Sequence, residues 1–240
     1  MPSRARIIVP GIPHHVVQRG NHKMSVFSGD DDRIKFLTDV RRHATKQEVR
    51  ILAYCLMDNH AHFILIPGKV YSFGRMLGPL NTMWSRRLSK TKNSVGRNLQ
   101  GRYFSAPMDD GYTIKAITYV HLNPVRANMV SQATDYAWSS AAKHCGNKAS
   151  NIIDDLPEWR EHIALAAQEL LLNTESDSHS KANDASRIRS GTSQNIPIGS
   201  ELFIRSIESL TGRSLRHRSR GRPKKPVKNG VTYAPPPHQI

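Results

Sequence analysis

The sequence predicts an α+β fold built on one antiparallel sheet. Over the first 145 residues, strand-like runs of apolar and β-branched residues alternate with segments whose apolar residues recur at helical spacing. The two central strands are separated only by Asp58 and Asn59, which suit a tight hairpin turn. The predicted order is strand, helix, strand, strand, helix, strand, helix. This is the split βαβ, or ferredoxin-like, arrangement with one extra helix.

The first strand and helix are predicted from "HHVVQRG", residues 14–20, and from the segment that begins at Asp30. Gly20 ends the β-rich run. Three consecutive aspartates then stand where a helix N-terminus favours negative charge, and basic residues come late in the same segment. The apolar residues at helical spacing are Ile34, Leu37, Val40 and Ala44.

The predicted hairpin pairs "RILAYCLMD" with "HAHFILI", and two helices and a strand follow. The second helix has a basic outer side and an expected kink at Pro79. Its apolar stripe consists of Phe73, Leu77, Leu80, Trp84 and Leu88. "LQGRYFSAP" predicts the fourth strand, and a third helix over 111–123 must end at or before Pro124.

The chain divides into four predicted segments. Residues 1–145 contain the α+β domain, and the run "EWREHIALAAQELLL" predicts a helical extension over 146–172. Residues 173–197 are polar and rich in serine, which predicts a flexible linker. Residues 198–240 predict one short helix followed by a basic tail.

Charge is the strongest feature of the composition. The chain has 35 lysines and arginines against 19 aspartates and glutamates, a formal net charge of +16. This balance favours polyanionic partners, most often nucleic acid. A ribosome-associated protein or a membrane-surface binder would share the charge, but neither explains the histidines described below.

Cysteine content and hydropathy predict the cellular environment. Cys55 and Cys145 are too few for a disulfide framework and lack metal-ligand spacing, so both are expected to be reduced thiols. No apolar run has the length of a membrane span or the form of a signal peptide. We therefore expect a cytoplasmic, nucleoid-associated protein with no membrane partner.

His60 and His62 lie one residue apart in an otherwise apolar strand. Because strand side chains alternate, both project from the same face, about 7 Å apart along the chain at ~3.3 Å per residue. Two neutral imidazoles so placed can bind one metal ion. A solvent-exposed or hydrogen-bonded pair is the alternative, but the apolar neighbours favour the metal because an unpartnered imidazole is costly to bury.

A second constellation is "YVHLNPVRA", residues 119–127. On a helix Tyr119 and Asn123 lie on one face and can address a single point. A tyrosine can attack phosphorus when a cation sits on the phosphate oxygens. Two imidazoles, a carboxamide oxygen, a phosphate oxygen and waters would suit Mg²⁺ or Mn²⁺. The alternatives are an ordinary amphipathic-helix tyrosine and an asparagine that ends a helix before Pro124.

Four segments carry a family resemblance: "GIPHHVVQRGN", "YCLMDNHAHFILI", "NLQGRYFS" and "YVHLNPVRANMV". Their order and spacing, over roughly residues 7–145, resemble the successive motifs of the single-tyrosine HUH transposases. The likeness is specifically to the REP-associated tyrosine transposases related to the IS200/IS605 group.

The resemblance implies a ferredoxin-like nuclease domain in which His60 and His62 are the HUH pair that holds a divalent metal, Mg²⁺ or Mn²⁺. It implies that Tyr119, on the extra helix, attacks single-stranded DNA and leaves a 5′-phosphotyrosine link and a free 3′-OH. Asn123 falls where the family has a third, polar metal ligand. Because family members cleave and rejoin strands beside palindromic hairpins, single-stranded and hairpin DNA are the expected partners. Either a monomer or a homodimer fits.

Basic residues are expected along the DNA path. Arg19 and Arg102 are favoured because both lie inside matching motifs, and Arg126 is assigned with them. The tail sequence "RGRPKK" resembles an AT-hook, which lies in the narrow minor groove of A·T-rich duplex. Its basic residues are Arg220, Arg222, Lys224 and Lys225. A disordered basic tail that binds any phosphate backbone is the alternative.

Other histidines and other functions complete the predictions. The histidines interpreted as structural or DNA-contacting are His14, His15, His22 and His121. A domesticated DNA-binding protein would keep the fold and recognise palindromes without turnover, but it would have no chemical reason to keep both constellations. An unrelated metallohydrolase would need further ligands near residues 100–130, where only Asp109 and Asp110 are available.

Overall fold

A four-stranded antiparallel sheet forms the centre of the protein. The computed structural model describes residues 5–92, 98–147, 150–172 and 178–215. The sheet has the order β2-β3-β1-β4. Its strands are β1 (His14–Arg19), β2 (Val49–Met57), β3 (His60–Pro67) and β4 (Phe104–Pro107). The order and the hairpin of β2 and β3 confirm the predicted split βαβ arrangement.

Helices cover both faces of the sheet. They are α1 (Asp30–Lys46), α2 (Ser72–Lys92), α3 (Asp110–His121), α4 (Asn123–Arg126), α5 (Ala141–His144), α6 (Arg160–Leu172), α7 (Ser178–Gln194) and α8 (Glu201–Thr211). Helix α2 continues through Pro79 as one helix. Within the described parts of the chain, no helix combines the length and apolarity that a membrane span needs.

Alternation along β3 separates two hydrophobic cores. Phe63 and Leu65 pack with α1 and α2 on one face, where Trp84 is almost fully buried. Ile64 and Ile66 point to the other face and pack with α3, α6 and α7. His62 shares this second face because it is two residues from Ile64.

Segments from outside the sheet cover both of its edge strands. On β4, the Ile198 amide donates to the Pro107 carbonyl at 2.9 Å. On β2, the Leu56 amide donates to the Trp138 carbonyl at 2.8 Å and the Ser140 amide to the Tyr54 carbonyl at 3.0 Å. Covered edges cannot pair with another chain, and both covering segments lie beyond the last strand in sequence.

The prediction of a flexible linker over 173–197 is wrong for residues 178–194, which form α7. This helix packs against β4, β1 and α3. Its contacts use small residues rather than a broad apolar stripe. Ile188 is 1% exposed, and a Cβ added to Gly191 would lie 2.5 Å from Ile198 Cγ1. Because small residues make this close contact, the segment has few large apolar residues, and its sequence therefore resembles a linker.

The predicted boundary at residue 145 is not an edge of the packed structure, since Ile188 and Ile198 belong to the core that contains α3. Helix α6 lies within the predicted helical extension. The AT-hook-like residues Arg220, Arg222, Lys224 and Lys225 lie outside the described residues.

Candidate active site

The two predicted constellations meet where β3 packs against α3. The ring centroids of His60 and His62 are 4.7 Å apart, and their planes meet at 74°. The Tyr119 ring, on α3, has its centroid 5.9 Å from that of His62. Tyr119 is buried apart from 7% of its surface. The structure therefore brings the proposed nucleophile beside the HUH pair.

His15 is a third histidine of this site. In the register of β1 and β3, Val17 is opposite His62 and His15 is opposite Ile64, so His15 lies diagonally across from His62 on the same face. The two rings are nearly parallel, at 5°, and His15 Nε2 is 2.8 Å from His62 Nδ1. On its other side, His15 Nδ1 is 2.8 Å from Thr192 Oγ1 on α7.

Neither His15 nor Thr192 was predicted as a site residue. The signal for His15 was present in "HHVV". Two adjacent histidines in a strand point to opposite faces of the sheet, so one of them must lie on the face that carries His60 and His62. His14 takes the opposite face, where its Nδ1 donates to the Ile12 carbonyl at 2.7 Å. No local pattern indicated Thr192.

Burial keeps the histidines of the site neutral. It lowers the pKa of His60 to about 4, and the positive charge of Arg19 acts in the same direction. Burial also lowers the pKa of His15 to about 3 and that of His62 well below its ordinary value of 6.5. Near neutral pH each imidazole therefore has an unprotonated nitrogen that can accept a hydrogen bond or bind a metal.

The free nitrogens of the HUH pair fit a divalent cation. His60 Nδ1 is 2.5 Å from Asn59 Oδ1 and His62 Nδ1 is engaged by His15, so each ring leaves Nε2 available. This pattern, with one nitrogen oriented by a neighbour and the other free, is usual for metal-binding histidines. The described residues contain no group of three or more His, Cys, Asp or Glu side chains that could hold a metal. Amide, phosphate or water oxygens must then complete any shell.

Asn123 does not share a continuous helix with Tyr119, which corrects the prediction of one helical face. Helix α3 ends at His121, and Asn123 begins α4, where Pro124 can follow without losing a hydrogen bond. The Asn123 amide nitrogen donates to the carbonyls of Tyr119 and Val120, at 3.2 and 3.1 Å. Of the Asn123 side chain, only the carboxamide oxygen remains available for a cation.

Arg126 contacts the proposed nucleophile. Its guanidinium carbon lies 4.4 Å from the centroid of the Tyr119 ring, and one N–H donates to the Tyr119 carbonyl. Burial lowers the pKa of Arg126, yet an arginine remains charged in proteins. A fixed positive charge over the phenol ring attracts an incoming phosphate.

The other predicted DNA-binding arginines in the described chain lie at two places. Arg19 ends β1 opposite His60, is exposed, and stands at the edge of the HUH pair. Arg102 lines a separate cavity of about 540 Å³ together with Arg6, Arg86 and Tyr103. This cavity is on the α2 side of the sheet, so Arg102 is not part of the histidine–tyrosine site.

The acids considered for an unrelated metallohydrolase lie elsewhere. Asp109 caps α3, where its carboxylate accepts from the amides of Tyr112 at 2.9 Å and Ser200 at 2.7 Å. Tyr119 is ten residues further along, about 15 Å at ~1.5 Å per residue. Asp109 and its neighbour Asp110 therefore supply no ligand to the HUH pair.

Comparisons with known proteins identify the domain. Residues 9–123 match the model of the family described as "Transposase IS200 like". A solved REP-associated tyrosine transposase bound to a REP hairpin matches with a TM-score of 0.50 at 16% identity, over 65% of this chain and 95% of that chain. A protein of Deinococcus radiodurans R1, proposed to be a transposase, matches with a TM-score of 0.34 at 15% identity, over 53% of this chain and 92% of that chain.

No curated protein sequence matches the chain. At 16% identity, the hairpin-bound structure shows a common fold. The segment that matches the family model contains His60, His62 and Tyr119. The segment of residues 9–123, with its split βαβ sheet and this site, is therefore similar to the IS200-like transposases.

Proposed function

We propose that this protein is a transposase that cleaves and rejoins single-stranded DNA at REP-like palindromic hairpins, with Tyr119 as the nucleophile. The observation that carries the proposal is the position of the Tyr119 ring, which lies 5.9 Å from His62 and under the Arg126 guanidinium. A phenol beside two neutral imidazoles and a fixed cation is suited to attack on a phosphodiester.

In the proposed reaction the Tyr119 oxygen attacks phosphorus, and the bond from phosphorus to the 3′ oxygen breaks. The phenol proton passes to water, and the departing 3′ oxygen takes a proton from solvent. The products are a 5′-phosphotyrosine link and a free 3′-OH. Because the link retains the energy of the broken phosphodiester, a 3′-OH can attack it in reverse and join strands without a nucleotide cofactor.

His60 and His62 are the residues that would hold a divalent cation, Mg²⁺ or Mn²⁺, with the Asn123 carbonyl oxygen as a third ligand. A cation bound there would neutralise charge on the phosphate oxygens during attack. The protein itself supplies orientation: the hydrogen bonds at each Nδ1 fix both imidazole rings. Arg126 and Asn123 hold the Tyr119 carbonyl and with it the end of α3.

A basic surface supports hairpin DNA as the partner. The cavity that contains Arg6, Arg86 and Arg102 lies beside α2. A second cavity beside the same helix shares Arg86 and also contains Lys35 and Lys90. We propose that duplex phosphates of the hairpin contact this surface, and that Arg19 guides the single strand to Tyr119. A solved transposase with a common fold is bound to a REP hairpin, which supports hairpin DNA as the partner.

The test is covalent capture of DNA. Labelled single-stranded hairpin DNA incubated with the protein and Mn²⁺ or Mg²⁺ is expected to give an adduct on a denaturing gel. Tyr119→Phe is expected to abolish it. Tyr112→Phe, which alters a tyrosine near the other end of the same helix, is expected to leave it unchanged. An adduct that persists in Tyr119→Phe would exclude the proposed nucleophile.

The same assay separates the enzyme from a domesticated DNA-binding protein. A wild-type chain that shifts hairpin DNA on a native gel but never forms an adduct would support the binding protein. The AT-hook-like tail is tested by removing residues 216–240, which leaves the buried Leu215 in place. Weaker binding to A·T-rich duplex with a flatter salt dependence is expected, and unchanged binding would exclude the tail from DNA recognition.

A further inference from the structure

We propose that His15 and Thr192 are positioning residues that fix the tautomer and orientation of His62, so that α7 is part of the catalytic unit. The proposal rests on the proposed function, because it concerns the metal-binding role of His62. It is carried by two hydrogen bonds in series: His62 to His15 and His15 to Thr192, each 2.8 Å between heavy atoms.

The direction of these hydrogen bonds follows from what a metal-binding His62 requires. If Nε2 of His62 must offer its lone pair, a neutral ring carries its proton on Nδ1. That N–H then donates to His15 Nε2, which must be unprotonated. The proton of neutral His15 therefore sits on Nδ1 and donates to Thr192 Oγ1. Thr192 Oγ1 could also donate, which would reverse both hydrogen bonds and place the His62 proton on Nε2. The hydroxyl on α7 supports the tautomer in which His62 can bind metal by accepting from His15.

Because these three side chains are almost fully buried, water cannot replace the hydrogen bonds between them. His15, His62 and Thr192 are exposed by 1%, 2% and 2% of their surface. Loss of the Thr192 oxygen would leave the His15 N–H buried without an acceptor, and exchange of the proton to the other nitrogen would relieve that cost. The His15 Nε2 would then carry a proton and could no longer accept from His62.

The packing of α7 holds Thr192 at the required position. The neighbouring Gly191 lies so close to Ile198 that an added Cβ would be 2.5 Å from Ile198 Cγ1. Ile198 in turn hydrogen-bonds the edge of β4. The segment that supplies Thr192 lies beyond residues 9–123, the part that matches the family model. This chain thus completes its site with a segment outside the family domain.

Two substitutions at one position separate the hydroxyl from the shape of the side chain. Thr192→Val keeps the volume and removes the hydroxyl, whereas Thr192→Ser removes a methyl group and keeps the hydroxyl. In the metal-free protein, ¹⁵N chemical shifts of the imidazole rings report the tautomer. We expect His62 to carry its proton on Nδ1 in the wild type and in Thr192→Ser, and to populate the other tautomer in Thr192→Val.

The second measurement is Mn²⁺ affinity, from titration of the free-ion electron paramagnetic resonance signal. Thr192→Val is expected to weaken binding about tenfold, at the low end of the effect of such outer partners, and Thr192→Ser is expected to bind like the wild type. Equal tautomers and equal affinities in wild type and Thr192→Val would overturn the inference, as would weakening by Thr192→Ser alone. A wild type that forms the tautomer but no DNA adduct would contradict only the proposed function.

Discussion

Arg126 is the residue through which the end of α3 and the proposed nucleophile are held together. Its guanidinium covers the Tyr119 ring and bonds the Tyr119 carbonyl. We expect Arg126→Ala to lower the rate of adduct formation on the order of 10²-fold, because a fixed charge near the reacting phosphate is lost. Arg126→Lys should recover only part of the rate, since an ammonium lacks the planar guanidinium.

The measurement is single-turnover adduct formation, with Mn²⁺ affinity and thermal unfolding recorded for each variant. Arg189→Ala is the matched control, because Arg189 is an exposed arginine whose charge acts on Arg126. Its rate is expected to stay within about twofold of the wild type, the effect of a solvent-screened charge. Equal losses at both positions would point to general DNA attraction rather than to a role at Tyr119.

The residues of the site were predictable where the signal is local. His60 and His62 were found because strand alternation puts residues i and i+2 on one face, and Tyr119 because it stands in a short motif with Asn123. His15 depends on the register between β1 and β3, which no short window contains. Thr192 lies 177 residues from its partner His15, so its role follows only from the folded chain.

Among the elements, α3 and α8 are joined at their N-termini by one carboxylate. Asp109 accepts from the Tyr112 amide in α3 and from the Ser200 amide at the start of α8. We expect Asp109→Ala to lower the free energy of unfolding by about 2 kcal/mol, since both a cap and a charge-assisted hydrogen bond are lost. Asp110→Ala, the matched control, removes an exposed first-turn acid and should cost about 0.5 kcal/mol.

Urea denaturation followed by circular dichroism gives both values. Because Asp109 lies about 15 Å from Tyr119 along α3, the adduct rate of the folded Asp109→Ala variant is expected to match the wild type, at ~1.5 Å rise per residue. A large loss of rate without loss of stability would instead revive the hypothesis that Asp109 serves the reaction.

Elements with strong local signals were predicted and those that depend on close packing were not. Helix α1 has three acids in its first turn and a periodic apolar stripe, and the hairpin has a two-residue turn. Helix α7 offers Ile188 and small residues, a pattern without a broad apolar face. Its stability comes from contacts with β4, β1 and α3, which sequence periodicity does not report.

For the whole molecule, buried neutral histidines predict sensitivity to acid. Burial lowers the pKa of His14 and of His144 to about 4 and that of His121 well below 6.5. A histidine whose pKa is depressed on folding stabilises fully above pH 6.5, and this contribution is lost as the pH falls towards 4. For each such histidine, the free energy of unfolding should fall by about 2 kcal/mol between roughly pH 7.5 and pH 5.

Urea unfolding at the two pH values measures this loss for the wild type and two variants. His14→Gln should make the loss smaller by about 2 kcal/mol, whatever its effect on stability at neutral pH. His22→Gln changes an exposed ring and should leave the loss unchanged. Equal pH dependence in all three proteins would show that buried His14 does not remain neutral.

The contribution of α7 and α8 to the fold gives the last prediction, which concerns the boundary at residue 145. Removal of everything after residue 177 would take away four buried apolar side chains: Ile188, Ile198, Ile207 and Leu215. At about 1.5–3 kcal/mol each, their burial contributes on the order of 6–12 kcal/mol, comparable to the whole stability of a typical domain. It would also uncover the edge of β4.

We therefore expect the chain that ends at residue 177 to lose cooperative thermal unfolding and to expose apolar surface to a dye such as ANS. The chain that ends at residue 215 keeps all four side chains and should unfold like the wild type. If the shorter chain instead unfolded cooperatively at the wild-type temperature, residues 1–145 would be an autonomous domain and α7 an appendage. Loss of folding on this truncation would mean that residues 9–123, which match the family model, depend on a C-terminal segment that also reaches the HUH pair through Thr192.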